Sequence, residues 1–211
     1  MAPETPAALS PRKRPRQARA TATVDAIYEA TIQVLLSDGP QRLTTTRVAE
    51  RAGVSVGTMY QYFPQKRALI HALNERYLEN LADRIEATCR QQHGASAGMM
   101  VVALIETYWQ AKTERPEVTH ALYRSVADLD NSALIESFAQ RVDSATIRML
   151  ESASDSRFED VAMVNRTLVT TIFGAVRNAF ERQLADQEAA GVMQQLALMC
   201  RAYLEAVSET R

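Results

Sequence analysis

Residues 41–67, QRLTTTRVAERAGVSVGTMYQYFPQKR, read as two short helices joined by a glycine turn and closed by an aromatic and basic cluster. Thr44 has the N-cap position, where its hydroxyl can accept from a free backbone N–H, and Leu43 and Val48 stand at the spacing of a hydrophobic staple. Val48, Ala49 and Ala52 give this helix its inward face, and Gly53 follows where the chain needs a left-handed residue to stop and turn. Ser55 repeats the cap, with Val54 and Met59 as a second staple, so a new helix begins three residues after the first one ends. Met59 and Phe63, four apart, turn inward together. Val56, Thr58, Tyr60, Gln61 and Tyr62 are left for the remaining surface, and Gly57 removes a side chain where backbone must approach another surface closely. This is the grammar of a helix-turn-helix DNA reader. Short capped helices around a glycine also occur in proteins that never touch DNA, so spacing alone does not decide the function.

Charge points the same way. Residues 1–67 hold ten Lys/Arg against five Asp/Glu, a net of +5, while residues 68–211 hold fourteen against twenty, a net of −6. A basic head on an acidic body turns one end toward a polyanion. Much of that charge lies in an arm over residues 10–19, SPRKRPRQAR, which follows a Pro/Ala-rich stretch too poor in apolar residues to fold. The arm is either a solvated tail or a segment that tracks phosphates or enters a minor groove beside the reading helix; the second is the expectation.

The whole stretch resembles the TetR family of bacterial one-component regulators. The family's N-terminal pattern is present here as Gly39, Thr44, Val48, Ala49, Ala52, Gly53, Val54, Ser55, Gly57, Thr58, Tyr60, Tyr62, Phe63, Lys66 and Leu69, without a gap from about Ala22 to Leu73. Arg67 replaces a commoner acidic residue, and Pro64 and Gln65 replace a commoner polar pair; none of these touches the reading helix. Beyond about residue 90 the resemblance is architectural. It implies a DNA-facing set of Thr44, Thr45, Arg47, Ser55, Val56, Gly57, Thr58, Tyr60, Gln61, Tyr62 and Lys66.

Strand signals are missing from the 211 residues, whereas helical periodicity recurs through most of them, and the reading is all-α. A three-helix N-terminal DNA-binding domain is expected, followed by a C-terminal helical ligand-binding and dimerisation domain. Boundaries fall at 1–20 for the arm, 21–67 for the DNA-binding domain, 68–93 for a connecting helix and 94–211 for the body. The first helix should run from about Thr21 to Ser37 and bury Val24, Ile27, Thr31, Val34 and Leu35; the connecting helix should keep Ile70, Leu73, Tyr77, Leu81 and Ile85 on one face. The body reads as helices near 97–114, 116–126, 131–152, 159–189 and 190–208. The last two are apolar over so wide an arc that they need two partners, the body core and the same pair from a second chain, as the family resemblance also implies.

Chemistry for an enzyme is sparse. Residues 94–98, GASAG, match the nucleophile-elbow pattern and would make Ser96 the nucleophile of a helical hydrolase or small-molecule enzyme, with His120 as its only downstream histidine. An elbow needs a strand before it and a sheet beneath it, so a small-residue loop between helices is the better reading. Cys89 and His93 share a helix face, but two ligands do not make a metal site. No cofactor or metal is expected. The two cysteines, Cys89 and Cys200, are expected to be reduced and packed. No apolar run approaches the ~18 residues of a membrane span and no signal segment is visible, so the expected location is cytoplasmic.

What remains is a cavity inside the body for a partly apolar small-molecule effector. Met100, Tyr108, Trp109, His120, Tyr123 and Phe138 are large adaptable or aromatic groups that suit such a lining, although each would serve equally as ordinary core. Asn165, Thr170 and Arg177 interrupt an apolar helix; they could meet an effector, face solvent or sit at the dimer seam. The partners expected are therefore double-stranded operator DNA, a small-molecule effector and a second copy of the chain through the last two helices, with no membrane. The sequence favours a repressor without separating it from an activator.

Overall fold

The computed structural model describes residues 18–126 and 129–210; most of the basic arm expected over residues 1–20 lies outside them. Nine helices follow one another among the described residues: α1 (Ala18–Asp38), α2 (Thr45–Ala52), α3 (Val56–Tyr62), α4 (Lys66–Gln91), α5 (Ala97–Thr113), α6 (Pro116–Val126), α7 (Ser132–Glu151), α8 (Val161–Glu181) and α9 (Asp186–Val207). Among the described residues, a two-residue antiparallel ladder of β1 (Ser156–Arg157) and β2 (Glu209–Thr210) is the one departure from an all-α fold. None of these helices is long and apolar enough to cross a membrane.

Two compact units divide the chain. One comprises residues up to Leu78 together with Pro116–Glu136, and the other comprises Glu79–Arg115 and the residues from Ser137 onward. The first unit is built on the stripe of α1. Val24, Ile27, Thr31, Val34 and Leu35 are all buried, and the Thr31 hydroxyl satisfies itself on the Ile27 carbonyl at 2.7 Å. Around them pack Leu43, Val48, Ala49, Met59 and Phe63 from the two short helices and their flanks, and Leu69, Ile70 and Leu73 from α4. Val118, Ala121 and Leu122 of α6 join the same cluster, so this helix packs with the N-terminal residues. The Pro116 ring starts α6 in the first-turn position where a missing N–H costs nothing.

The second unit has its own core. Leu81 and Ile85 of α4, Met100, Leu104 and Ile105 of α5, Val142 and Met149 of α7, Leu168, Ile172 and Val176 of α8, and Leu196 and Leu204 of α9 form one buried cluster. Arg141 of α7 holds α4 by two carboxylates, donating to Asp83 Oδ1 at 2.7 Å and to Glu86 Oε1 at 2.9 Å. These bonds raise the Arg141 pKa above its ordinary value.

One boundary differs from the sequence reading. The break between the last two helices falls at residues 182–185, not at 189–190. Gln183 takes the left-handed region at φ 53°, Arg182 N–H caps the Asn178 carbonyl, and Gln183 N–H caps the Phe180 carbonyl, each at 3.0 Å. Asp186 and Glu188 then suit the positive end of α9. Gly191 lies inside that helix.

Candidate DNA-reading head

The two short helices are fastened at each end by the residue types that the sequence proposes. Thr44 is extended (φ −135°, ψ 150°) and its Oγ1 accepts from Arg47 N at 3.2 Å. Gly53 takes φ 67°, with its N–H on the Glu50 carbonyl (3.3 Å) and Val54 N–H on the Ala49 carbonyl (3.0 Å). These paired bonds are the Schellman closure that lets the chain turn at once. Ser55 caps α3, its Oγ accepting from Thr58 N at 3.0 Å and lying 2.9 Å from Thr58 Oγ1. Phe63 N–H closes the far end on the Met59 carbonyl at 2.8 Å.

With both ends fixed, α3 divides by face. Met59 is wholly buried and Phe63 nearly so, with the Phe63 ring 5.8 Å from that of Tyr28. The Arg76 guanidinium lies 5.1 Å from the Tyr28 ring centroid and pairs with Asp25, bracing α1 against α4 behind the reading helix. Outward stand Val56 (41% exposed), Tyr60 (45% exposed), Gly57 and Gln61, with Thr58 half-buried. A Cβ built on Gly57 would meet only Ser55 Oγ, at 3.7 Å, an ordinary contact. Nothing inside the protein requires glycine there.

Two residues of the expected DNA-facing set face the core. Tyr62 is only 7% exposed and Thr45 only 8%. The helix period explains both: Tyr62 follows Met59 by three residues, and Thr45 precedes Val48 and Ala49 by three and four, so each shares the inward face of its helix. The remaining set is accessible. Arg47 pairs with Asp38 at 2.8 Å at the end of α1, and Lys66 Nζ donates to the Pro40 carbonyl, tying the first residue of α4 to the turn before α2. Thr44 and Ser55 are exposed beside these groups.

The residues expected around an effector scatter more widely. In the second unit, the Tyr108 ring stacks on Phe173 with centroids 4.1 Å apart, and Phe138 lies 5.9 Å from Phe173. Met100 is wholly buried, Trp109 is half-buried against the same core, Thr170 is exposed, and Arg177 is exposed with Nε on Glu181 Oε1 at 2.8 Å. Asn165 is buried; its Nδ2 donates to Asp143 Oδ1 at 2.9 Å, while its Oδ1 has no partner. His120 and Tyr123 stand on α6 and so belong to the first unit. Sequence reasoning missed Lys112, which is 3% exposed with Nζ 4.9 Å from the Tyr108 ring centroid. Its pKa is lowered to about 7, chiefly by burial and further by the nearby Arg177 charge, with Glu181 opposing both.

Ser96 acts as a cap: its Oγ accepts from Met99 N at 3.3 Å at the start of α5. The connection before it turns at Gly94, φ 78°, whose N–H donates to Ser152 Oγ at 3.0 Å. This is the small-residue loop between helices that the sequence suggests. Cys89 and Cys200 are free and buried.

Comparison with known proteins agrees with this architecture. The chain matches the family model described as bacterial regulatory proteins, tetR family, over residues 27–73, and a tetracyclin repressor-like C-terminal domain over residues 98–204. Among curated relatives, the nucleoid occlusion factor SlmA of Haemophilus ducreyi is 36% identical over 109 residues, covering 51% of this chain and 53% of that protein. SlmA of Actinobacillus pleuropneumoniae is 37% identical over 97 residues, 46% of this chain and 47% of that protein. The chain thus spans about half the length of the curated relatives it matches. Solved structures share the fold. A TetR transcription regulator from Haloarcula marismortui aligns with a TM-score of 0.65 at 21% identity, covering 90% of this chain and all of that one (100%). FadR from Bacillus subtilis, in complex with stearoyl-CoA, aligns with a TM-score of 0.63 at 18% identity, covering 82% and 97%. The capped reading helix, the second helical unit and the two matched domains lead to one conclusion: the chain belongs to the TetR family of bacterial regulatory proteins.

Proposed function

We propose that the protein is a homodimeric, ligand-responsive transcriptional repressor that reads a palindromic operator through α3. The observation that carries this reading is the division of that helix, with Met59, Tyr62 and Phe63 locked inward while Val56, Gly57, Tyr60 and Gln61 are presented outward on a segment capped at both ends. Thr58 and Gln61 are the base readers. Thr44, Arg47, Ser55, Tyr60 and Lys66 position the helix on phosphates, and Thr45 and Tyr62 support it from beneath.

Dimerisation through α8 and α9 is supported by what those helices leave uncovered. Met163, Leu198 and Met199 are more than half exposed, Val192 and Val207 more than a third, and a groove of about 580 Å³ runs past Thr171, Ala175, Val192, Leu196 and Met199. Apolar surface of this extent on a regulator fits a self-complementary two-fold contact.

The effector reading rests on the Tyr108, Phe173 and Phe138 rings, with Trp109 beside them, and on the buried Lys112 and the unpaired Asn165 oxygen as polar features of the same unit. Similar folds carry bound organic molecules with apolar parts, stearoyl-CoA in the Bacillus subtilis FadR complex and triclosan in the SmeT complex. An effector that prefers one of two conformations lowers operator affinity by its differential affinity for the two, and α4 contributes residues to both units.

Selection of bound sequences from a random DNA pool tests the proposal. The expected product is an inverted repeat with half-site centres about 10 bp apart, or a simple multiple of it if dimers pair. An asymmetric or sequence-independent profile overturns it. The likeness to nucleoid occlusion factors supports a second reading, in which the DNA-bound dimer serves nucleoid organisation. Chromosomal occupancy at many inverted repeats, with no change in adjacent transcripts on deletion, would favour that role.

A further inference from the structure

Within the second unit, α4 and α7 leave between them a cleft of about 330 Å³. Its floor is apolar, made by Cys89, Ala145 and Met149, all buried. Its rim is charged, with Arg90 at the end of α4, His93 just beyond it, Arg148 on α7, and Glu86. The Glu86 carboxylate is already engaged by Arg141 at 2.9 Å, so it is matched before any ligand arrives. The side chains of Arg90, His93 and Arg148 make no hydrogen bond or ion pair with any described residue. Burial pushes the Cys89 thiol up to about 11, so the floor carries no negative charge to oppose an anion.

Two exposed guanidinium groups on the two helices that line one cleft make its mouth electropositive, which favours a ligand of opposite charge. A guanidinium fork matches the paired oxygens of a carboxylate or phosphate, and a ligand that reaches both arginines brings its remaining atoms down onto the Cys89, Ala145 and Met149 floor. A volume of this size is at the lower end for small-molecule sites, which run from ~300 to 1,000 Å³, and so suits a single ring or short chain. We propose that this cleft binds a small organic dianion with an apolar body, a phosphate monoester or a dicarboxylate, held between Arg90 and Arg148 with His93 as a third donor. It shares no lining residue with the Tyr108, Phe173 and Phe138 cluster, and it stands whether or not that cluster takes an effector.

Titration calorimetry of the full chain with phenyl phosphate, phthalate, inorganic phosphate and benzyl alcohol tests it. One saturable site per chain is expected for phenyl phosphate or phthalate, and the better of the two fixes the anion class. Inorganic phosphate should bind about tenfold more weakly for want of an apolar body, and benzyl alcohol not at all. Arg90→Ala and Arg148→Ala should each weaken the organic dianion by at least about tenfold, the loss of one charge-assisted bond, while Arg166→Ala on the exposed side of α8 should leave it unchanged. Both arginines are exposed, so their truncation leaves the core intact, and Arg148→Gln serves as a second variant that keeps the stem. Absence of saturable binding at millimolar phenyl phosphate and phthalate overturns the proposal. So does binding that survives in the Arg90→Ala, Arg148→Ala double variant, or equal binding of benzyl alcohol.

Discussion

Gly57→Ala separates what the reading helix needs for folding from what it needs for DNA. The added Cβ meets only Ser55 Oγ at 3.7 Å, and Gly57 has no left-handed φ to preserve. Exchanging glycine for alanine in a helix gains ~0.5–1 kcal/mol, so the variant should be no less stable, with Tm higher by roughly 1–3 °C for a chain of this size. On DNA the sign reverses. A methyl group forced into a close backbone-to-duplex contact costs ~1–3 kcal/mol by analogy with overpacked interiors, and a dimer reading two half-sites pays this twice. The combined ~2 kcal/mol at the lower end is about a thirtyfold loss of operator affinity. Fluorescence anisotropy on the selected inverted repeat at fixed salt, beside thermal denaturation of the same samples, measures both quantities. Unchanged affinity would place the start of α3 away from the duplex, and a clear fall in Tm would show that the glycine serves the protein interior after all.

Lys66→Ala should lower Tm because the Pro40 tether is lost, and should also flatten the slope of log affinity against log salt by about 0.9 for each phosphate contact removed; an unchanged slope would confine Lys66 to the tether. Tyr62→Ala should cost ~3–5 kcal/mol of stability as a buried aromatic truncation, whereas Tyr60→Ala should weaken DNA binding with stability changed by less than about 0.5 kcal/mol. If the two effects were exchanged, the faces assigned to α3 would be wrong. Lys112 has a folded pKa of about 7 against 10.5 when unfolded, so the native state binds fewer protons between those values and stability should climb as pH rises from 7 to 10.5, by ~1.4 kcal/mol per unit at most. Urea denaturation at several pH values should show this rise in the wild type and its loss in Lys112→Met, which should also be the more stable protein at pH 7; a flat wild-type profile refutes it. Met199→Glu on the exposed side of α9 should yield monomers by light scattering and abolish tight operator binding, and a dimer that persists would move the interface elsewhere.

The head was legible because its determinants are local. Thr44, Gly53 and Ser55 each satisfy backbone groups within five residues, so residue type and spacing suffice to place two helices and the turn between them. Tyr62 was misplaced although its spacing from Met59 already carried the answer: a terminal tyrosine in a DNA-reading helix invites an outward reading, and the period of the helix turns it in. The break at Gln183 was not legible, because a non-glycine residue takes the left-handed turn while apolar residues continue on both sides of it. Lys112 has no part in the sequence reading, since a lone cation in the last turn of a helix carries no signal of burial, and only long-range packing brings it to the Tyr108 ring. The packing of α6 on the N-terminal cluster is likewise a tertiary fact, since its buried stripe would suit either unit.

The fork of Arg141 on Asp83 and Glu86 has a mechanical meaning. The two carboxylates lie three residues apart on α4, a rise of about 4.5 Å along its axis, so one guanidinium grips the helix at two heights. Sliding α4 along α7, or rolling it about its own axis, breaks both bonds together, and no neighbouring register of the helix restores the pair. The distal half of α4 is thus tied to α7 at its charged edge as well as through the core they share, where Ile85 meets the cluster of Val142 and Met149. An arginine keeps its charge at any pH the cell reaches, so acidity leaves the fork in place until the carboxylates themselves are protonated. Dissolved salt reaches it, because the Arg141 side chain is 36% exposed. Ionic strength thus acts on this chain at two places, at whatever phosphate contacts the accessible Arg47 and Lys66 make and at the Arg141 fork between α4 and α7.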